Sequence, residues 1–518
     1  MNKAKIFFCF VAVLFFLVLL SIAIIVLIYE HTIITFGIAV SVLYVINACF
    51  GFYILNSKYR QDSTKLCWLF IFILIPFIGV LIFLIFGSNY INIKEHRADF
   101  EKSKAKFSNF ENLDFSNQLI SKDTAATNIF KYSFVSQKAA ITNRNSTEII
   151  EENQDLYSTY MDAIRQAKHF IHFRTYIIRD GMFLFSLASE LIKKAKEGVK
   201  VRFMYDWVGS YHNFSKKVLS EMKAAGVEIG IFNPKGINMF KGSTNFRSHE
   251  KCLIIDNVLA VYGSSNIGDE YLGISPDRNA WKDLNYILKG EIVNSLNITF
   301  CIGWMELTDY SVPKQAKTEL EDYALVSFKP HAADGNEIMQ LTTSSPNYSD
   351  QDITRTLVSL ITYATKSIKI VTPYLFLTPE LHNALKIAIY RRIDIKIIVP
   401  GKNDSKDFIL ALNKNNYYQL QKEQCKVYTY NGFIHSKYVI VDDKFVYTGT
   451  NNLDFRSLWI NFESCLLIEN EHVINSMNKV FENDLQNSTL VTQESLNEVK
   501  KLKFRISMWI LNVYKPLL

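Results

Sequence analysis

The sequence predicts an α/β protein in which N-terminal transmembrane helices precede two copies of one α/β unit. Three observations carry that reading. Three long apolar stretches fall before residue 90, a run of helix-like and strand-like patterns occurs once and then again, and the skeleton H-x-K-x4-D closes each run, as "HEKCLIID" at 249–256 and "HSKYVIVD" at 435–442.

The apolar stretches cover about 6–29, 33–55 and 66–87, each at or beyond the ~20 residues that cross a bilayer core. The first is too long for a signal peptide and lacks a small-residue cleavage pattern. Lys3 and Lys5 ahead of it, and Lys58, Arg60 and Lys65 between the second and third, place those stretches of chain on the cytoplasmic side by the bias of basic residues. Three crossings then put the rest of the chain outside, although Lys94 and Arg97 after the third pull the other way.

Five basic against two acidic residues give 1–90 a net +3, so the remainder holds +4 of the overall +7. A body so nearly balanced is a poor nucleic-acid binder but suits an anionic lipid surface. The seven cysteines form no C-x-x-C pair, so neither a zinc site nor a disulfide framework is expected.

Residues 91–130 read as a charged juxtamembrane linker. In the first half, 131–307, "LYSTYMDAIRQAKHF" and "LASELIKKAKEG" have helical spacing, the second ending at Gly198, while "FIHFRTYII" and "VKVRFMYDWV" read as strands. A connector with prolines and charge spans 308–337. The second half, 338–495, repeats the order in "RTLVSLITYATKSIKIVTPYLFLTPELHNALKIAIYRRIDIKIIVP": a helix, a strand, a turn at Pro379, a helix, and a strand ending before Pro400. Residues 496–518 alternate basic and apolar side chains, fitting an interfacial segment or a docked helix.

Residues two apart share a strand face, so His249 and Lys251, and likewise His435 and Lys437, point the same way. An imidazole beside an ammonium suits a phosphodiester: the ring attacks or moves a proton, and the lysine offsets oxygen charge. Asp256 and Asp442 lie at odd offset and open turns, which favours a structural role. A two-residue turn at Asp256-Asn257 would set Ser264 opposite His249, and the same count sets Thr450 opposite His435. Asn266 and Asn452 then offer amide donors to the phosphate. Asp283 and Glu463 open the following strands, where a carboxylate beside an imidazole fixes its tautomer.

Both copies extend to H-x-K-x4-D-x6-G-[GST]-x-N, through Gly263, Ser264, Asn266 and Gly449, Thr450, Asn452. In this the chain resembles the phospholipase D superfamily. Over nearly its whole length it is similar to the bacterial cardiolipin synthases, on the apolar hairpin and on "NIGDEYLG", "TPYLFLTPEL", "PGKNDS", "TNNLDFRSLWINFE" and the terminal "PLL". The resemblance implies a pseudo-twofold α/β/α body with one active site at the junction, and a catalytic set of His249, Lys251, Asp256, His435, Lys437 and Asp442. Ser248 and Glu250 stand where the family has Asn and Arg around its first motif, and Asn285 where it has His. Those departures bear on phosphate affinity or on acceptor preference.

The function implied is transfer of a phosphatidyl group between two phosphatidylglycerol molecules, giving cardiolipin and glycerol through a phosphohistidine, with His249 as nucleophile and His435 as general acid and base. One diester is exchanged for another, so no cofactor, nucleotide or metal is expected, and no P-loop is present. The partners expected are phosphatidylglycerol and anionic membrane lipids, in a membrane-embedded protein without nucleic acid. No oligomeric state is implied. A phospholipase D hydrolase, a transferase to another alcohol, and an inactive lipid-binding scaffold are the rival readings.

Overall fold

The structure is a computed structural model describing residues 33–57, 62–84, 93–111, 113–122, 124–211, 213–234, 246–275, 281–308, 311–327, 330–347, 351–401, 407–423 and 425–492. The expected first membrane segment, 6–29, and the C-terminal segment 496–518 lie outside these residues. The chain divides into two compact units, with the break near residue 91.

In the N-terminal unit, Gly37–Leu55 of the helix Ile33–Leu55 is long and apolar enough to cross a membrane by length and composition. The segment expected to span at 66–87 is not one continuous helix: Asp62–Leu74 and Ile78–Ile82 are separated at Pro76. Proline has no N–H to donate to the carbonyl four residues earlier. That carbonyl, on Phe72, instead accepts the side-chain amide of Asn47 at 2.8 Å, a buried bond between the two helices. An apolar surrounding makes such a substitute obligatory.

In the larger unit the sequence patterns become elements much as expected. The helices Asn153–Gln166 and Met182–Lys196 and the strands Phe170–Thr175 and Lys200–Asp206 occupy the patterned stretches of the first half, and Gly198 stops the second helix at φ 92°. The second run gives the helices Asp352–Tyr363 and Pro379–Tyr390 and the strands Ser367–Val371 and Asp394–Pro400. The stretch read as linker holds the helices Ile93–Phe107, Asp114–Ile120 and Thr127–Gln137, and the connector holds the helix Lys314–Ser327.

Eighteen strands are described: β1 (Ile141–Thr142), β2 (Asn145–Ile150), β3 (Phe170–Thr175), β4 (Lys200–Asp206), β5 (Glu228–Phe232), β6 (Cys252–Ile255), β7 (Leu259–Gly263), β8 (Trp281–Lys282), β9 (Asn285–Gly290), β10 (Ile338–Ser344), β11 (Ser367–Val371), β12 (Asp394–Pro400), β13 (Lys426–Tyr430), β14 (Phe433–Ile434), β15 (Tyr438–Val441), β16 (Phe445–Gly449), β17 (Glu463–Glu469) and β18 (Ser488–Leu490). One sheet runs β2-β9-β7-β6-β3-β4-β5. A second contains β10-β17-β16-β15-β11-β12-β13, the same order with the same strand senses, extended by β1 and β18 at its ends, and β14 and β8 form a third, two-stranded sheet. Parallel neighbours β3, β4 and β5 are joined through helices, as such pairs require, and so are β11, β12 and β13. One apolar cluster draws on both sheets, packing Ile254 and Leu288 with Ile440, Leu466 and Ile468, so the halves share a core. Burial on that scale outweighs any single polar contact between them.

The hairpins carrying the motifs differ from expectation by one residue. Ile255 pairs with Leu259 and Cys252 with Tyr262, and Val441 pairs with Phe445. The turn residues Asp256, Asn257, Asp442 and Asp443 all have positive φ, which Asp and Asn tolerate better than most side chains. Each turn is followed by one further residue, Val258 or Lys444, before pairing resumes. The frame therefore shifts, and neither Ser264 nor Thr450 falls opposite its motif histidine.

Candidate active site

Two short parallel ladders bring the motifs together. β14 pairs with β8 in register Phe433 to Trp281 and Ile434 to Lys282, and Ser248 forms a parallel bridge with Phe462. His435 N donates to Lys282 O at 2.7 Å, and His249 N donates to Phe462 O at 2.9 Å. Each motif histidine thus lies next to the residue that precedes the other half's carboxylate, Lys282 before Asp283 and Phe462 before Glu463.

The side chains cross in the same way. His249 Nδ1 lies 2.9 Å from Glu463 Oε1, and His435 Nδ1 lies 2.7 Å from Asp283 Oδ2. A carboxylate only accepts hydrogen bonds, so each Nδ1 carries the proton and each Nε2 keeps its lone pair. Ser264 donates to Asp283, and Thr450 Oγ1 donates to Glu463 Oε2 at 2.6 Å. The two hydroxyls therefore hold the acid of their own half, which in turn holds the imidazole of the other. Asn461 adds a bond to Glu463 at 3.2 Å, and Leu284 N donates to Asp283 at 2.9 Å.

Burial sets the electrostatics. It depresses both imidazoles from the ordinary 6.5 to about 4; for His249 the lysines add to the shift and Glu463 opposes it, while for His435 Lys437 adds and Asp283 opposes. Burial would raise Asp283, but His435, Lys437 and Ser264 outweigh it and bring the carboxyl to about 2. Glu463 falls below its usual range against the same burial, through His249, Lys251 and Thr450. The resting site thus pairs neutral imidazoles with ionised acids. Burial lowers Lys437 to about 8 and Lys251 well below its ordinary value. Lys437 Nζ stands 3.1 Å from His435 Nε2. A phosphate entering between the lysines would favour their charged forms and bind most tightly where its own charge grows.

Asp256 and Asp442 are elsewhere. Asp256 accepts from the backbone N–H groups of Lys168, His169 and Phe170 at 2.7 to 2.9 Å, and Asp442 accepts from Thr365, Lys366 and Ser367 over the same distances. Both carboxylates tie the far ends of their hairpins to the starts of β3 and β11. Asn266 is also tied in place: its Oδ1 accepts from Ile177 N at 3.0 Å and its Nδ2 donates to Tyr271 at 2.7 Å. Asn452 hydrogen-bonds Asp454. Asn285, one of the family departures, bonds Ser265 Oγ at 2.8 Å and so braces the motif loop. A Cβ at Gly263 or Gly449 would strike the carbonyl of Leu284 or Ser464, which is why this close strand approach takes glycine.

Sequence reasoning missed the aromatic wall. Tyr176 sets its ring edge to His249 at 4.9 Å, and Trp281 and Tyr271 lie 5.6 and 5.7 Å from the His435 ring. Trp281 stands two residues before Asp283, so its place beside the acid was the available signal.

Histidine–carboxylate pairs, each with its lysine, are thus exchanged between two copies of one α/β topology. Residues 160–295 and 357–485 match the family described as cardiolipin synthase, PLD-like domain, and residues 38–88 match the phospholipase D-nuclease N-terminal family. The chain belongs to the cardiolipin synthase, PLD-like family. A cardiolipin synthase of Clostridium perfringens is 31% identical over 464 residues, covering 89% of this chain and 95% of the relative. The major cardiolipin synthase of Bacillus subtilis is 29% identical over 503 residues, covering 93% and 99%. The crystal structure of Haemophilus influenzae phosphatidylserine synthase matches 76% of this chain and 100% of its own at a TM-score of 0.55 and 14% identity, a likeness of fold.

Proposed function

We propose that the protein is a phosphatidyltransferase that converts two phosphatidylglycerol molecules into cardiolipin and glycerol. The observation that carries the mechanism is the pair of crossed histidine–carboxylate contacts with Lys251 and Lys437 beside them. His249 Nε2 attacks phosphorus, forming a P–N bond as the bond to the glycerol oxygen breaks. His435 must carry the departing proton, so it acts once protonated and returns to the neutral base afterwards. The hydroxyl of a second phosphatidylglycerol then gives its proton to His435 and attacks the phosphohistidine, and His249 leaves. Glu463 and Asp283 orient the rings and stabilise each imidazolium as it forms, and the lysines meet the charge growing on the phosphoryl oxygens.

Under the same reading, the halves 131–307 and 338–495 are related by a pseudo-twofold axis, which explains the repeated strand order and the exchange of acids. The apolar segments anchor the enzyme as a multi-pass protein in a bacterial cell membrane among anionic lipids, with no nucleic-acid partner and the body on the outer side. Labelling of Lys217→Cys from outside intact cells is expected to succeed; protection of that thiol until lysis would reverse the orientation.

The leaving glycerol and the entering alcohol are chemically alike, so transfer is nearly thermoneutral, whereas water as acceptor runs downhill to phosphatidic acid. Lipid headgroups at high local concentration favour transfer where water is kept from the intermediate. Purified protein in detergent with phosphatidylglycerol, EDTA and no nucleotide is expected to give cardiolipin and glycerol in equal amounts by mass spectrometry. Phosphatidic acid as the main product would make the protein a hydrolase. An absolute demand for a cytidine nucleotide or a divalent metal would sink the mechanism.

A further inference from the structure

β3 carries a charge that neither catalytic pair uses. Arg174 is 4% exposed in a strand buried at every position. Its guanidinium forms an ion pair with Glu250, the residue between motif His249 and Lys251, and both side chains are at least nine-tenths buried. Nη2 also donates to the carbonyls of Thr299 and Phe300, at 3.0 and 3.2 Å, on the helix Ile292–Met305. That helix is notched to admit it: a methyl group at Gly303 would collide with the guanidinium. A buried ion pair is a weak route to stability, because desolvation offsets the attraction. Its location suggests a second use.

Arg174 and Glu250 border a cavity of about 30 Å³ that also meets Phe100, Glu306, Phe462 and Glu463, room for about two waters. Glu463 is the acid that holds His249, and Phe462 supplies the carbonyl that receives His249 N. The charges facing Glu250 are Arg174, Glu463 and Lys251. Those facing His249 are Glu463, Lys251 and Lys437. Glu463 is also felt by Asp454 and Tyr176. Burial pushes Glu306 up to about 8, against Arg174 and Asn347, with Glu250 and Asp99 adding to the rise; it is therefore largely uncharged at neutral pH. Among the described residues, the matching positions of the second half hold no such pair. Val371 pairs with Tyr438 where Arg174 pairs with Cys252, each partner three residues after its motif histidine, and Ser436 stands in place of Glu250.

We propose that Arg174 and Glu250 are positioning residues for the first catalytic pair, a balanced ion pair that lets Glu463 stay ionised against His249 beside a second buried acid. This rests on the phosphatidyl-transfer reading. Two buried carboxylates without a cation between them would compete, and one would take up a proton. With Glu250 absent, the unbalanced guanidinium would draw on Glu463 and disfavour the positive charge that forms on the His249 ring when its Nε2 attacks phosphorus.

The test is the pH dependence of kcat/KM for cardiolipin formation by the full-length protein in detergent, with thermal melting recorded in parallel. Glu250→Gln leaves a net positive charge near the pair, so the acid limb moves to lower pH by about 1 unit. Arg174→Gln leaves a net negative charge, and the limb moves to higher pH, by less because burial favours a proton on Glu250. The exchange Arg174→Glu with Glu250→Arg brings both limb and rate back toward wild type. Limbs that stay put or shift together while cardiolipin still forms would overturn the positioning role and leave the reaction standing. No cardiolipin from the wild-type protein would overturn the reaction itself. Should Arg174→Gln fail to fold, Glu250→Gln decides alone: a limb moved to lower pH supports the proposal, and an unmoved one overturns it.

Discussion

Replacing either His249 or His435 with alanine lowers cardiolipin formation by at least about 10⁴-fold, and replacing both costs little more than replacing one. Groups that act as a unit in one reaction are grossly non-additive, since removal of the first already stops the sequence of steps. The two rings stand in different halves of the chain, but each is held by an acid from the other half, so neither half contains a complete pair. Near-normal activity in either single variant would show two independent sites and would defeat the shared-site mechanism. Asp256→Asn is the contrasting change. It weakens three backbone hydrogen bonds at the foot of β3 and is expected to lower stability by about 1–3 kcal/mol while the folded fraction keeps its turnover. Acid quench followed by peptide mapping of a phosphatidyl adduct would identify His249 or His435 as the nucleophile.

The sequence made local features legible and left the crossings hidden, for physical reasons. β3, β4 and the helices beside them span many residues each, so their periodicity shows in the apolar pattern. The doubled motif, its glycines and the acids Asp283 and Glu463 are short-range signals at fixed spacing. The ladders that exchange the acids are two-residue strands and a single bridge, too short for any pattern, and they join residues 152 and 214 positions apart. The register error was local: the positive-φ pair at Asp256 and Asn257 is followed by one unpaired residue, which moves every later side chain by one. The break at Pro76 was visible as a proline, yet the partner that makes it tolerable, Asn47, lies on another helix. Arg174 lies inside the strand-like run "FIHFRTYII", and nothing local there points to Glu250, 76 positions away.

Glu463→Gln and Asp283→Asn are expected to lower kcat by about 10³–10⁴-fold each with little change in the fold, the loss seen when an acid that orients a catalytic imidazole becomes an amide. The amides preserve shape but present a donor as readily as an acceptor, so they no longer require the proton to sit on Nδ1. They also remove the anion that offsets imidazolium charge inside a buried site. The sign of the pH effect follows from the environment. Both imidazoles already titrate near 4 because burial outweighs the acids that oppose it. Loss of Asp283 lowers the pKa of His435 further, so the step that needs the protonated ring loses its alkaline side. Loss of Glu463 lowers that of His249, so the neutral nucleophile persists to lower pH, and in both variants the remaining activity shifts to lower pH. The neighbours give the two variants different strengths. Lys437 stands against the His435 ring at 3.0 to 3.1 Å, so in Asp283→Asn that imidazole faces an ammonium in direct contact, on which Glu463 and Asp454 still act from further away. In Glu463→Gln, Lys251 adds a like charge beside His249, and Glu250 remains in electrostatic reach of Lys251 to moderate it. The larger shift is therefore expected in Asp283→Asn. Equal profiles for both variants and wild type, at reduced rate, would mean that the acids only hold the rings in place.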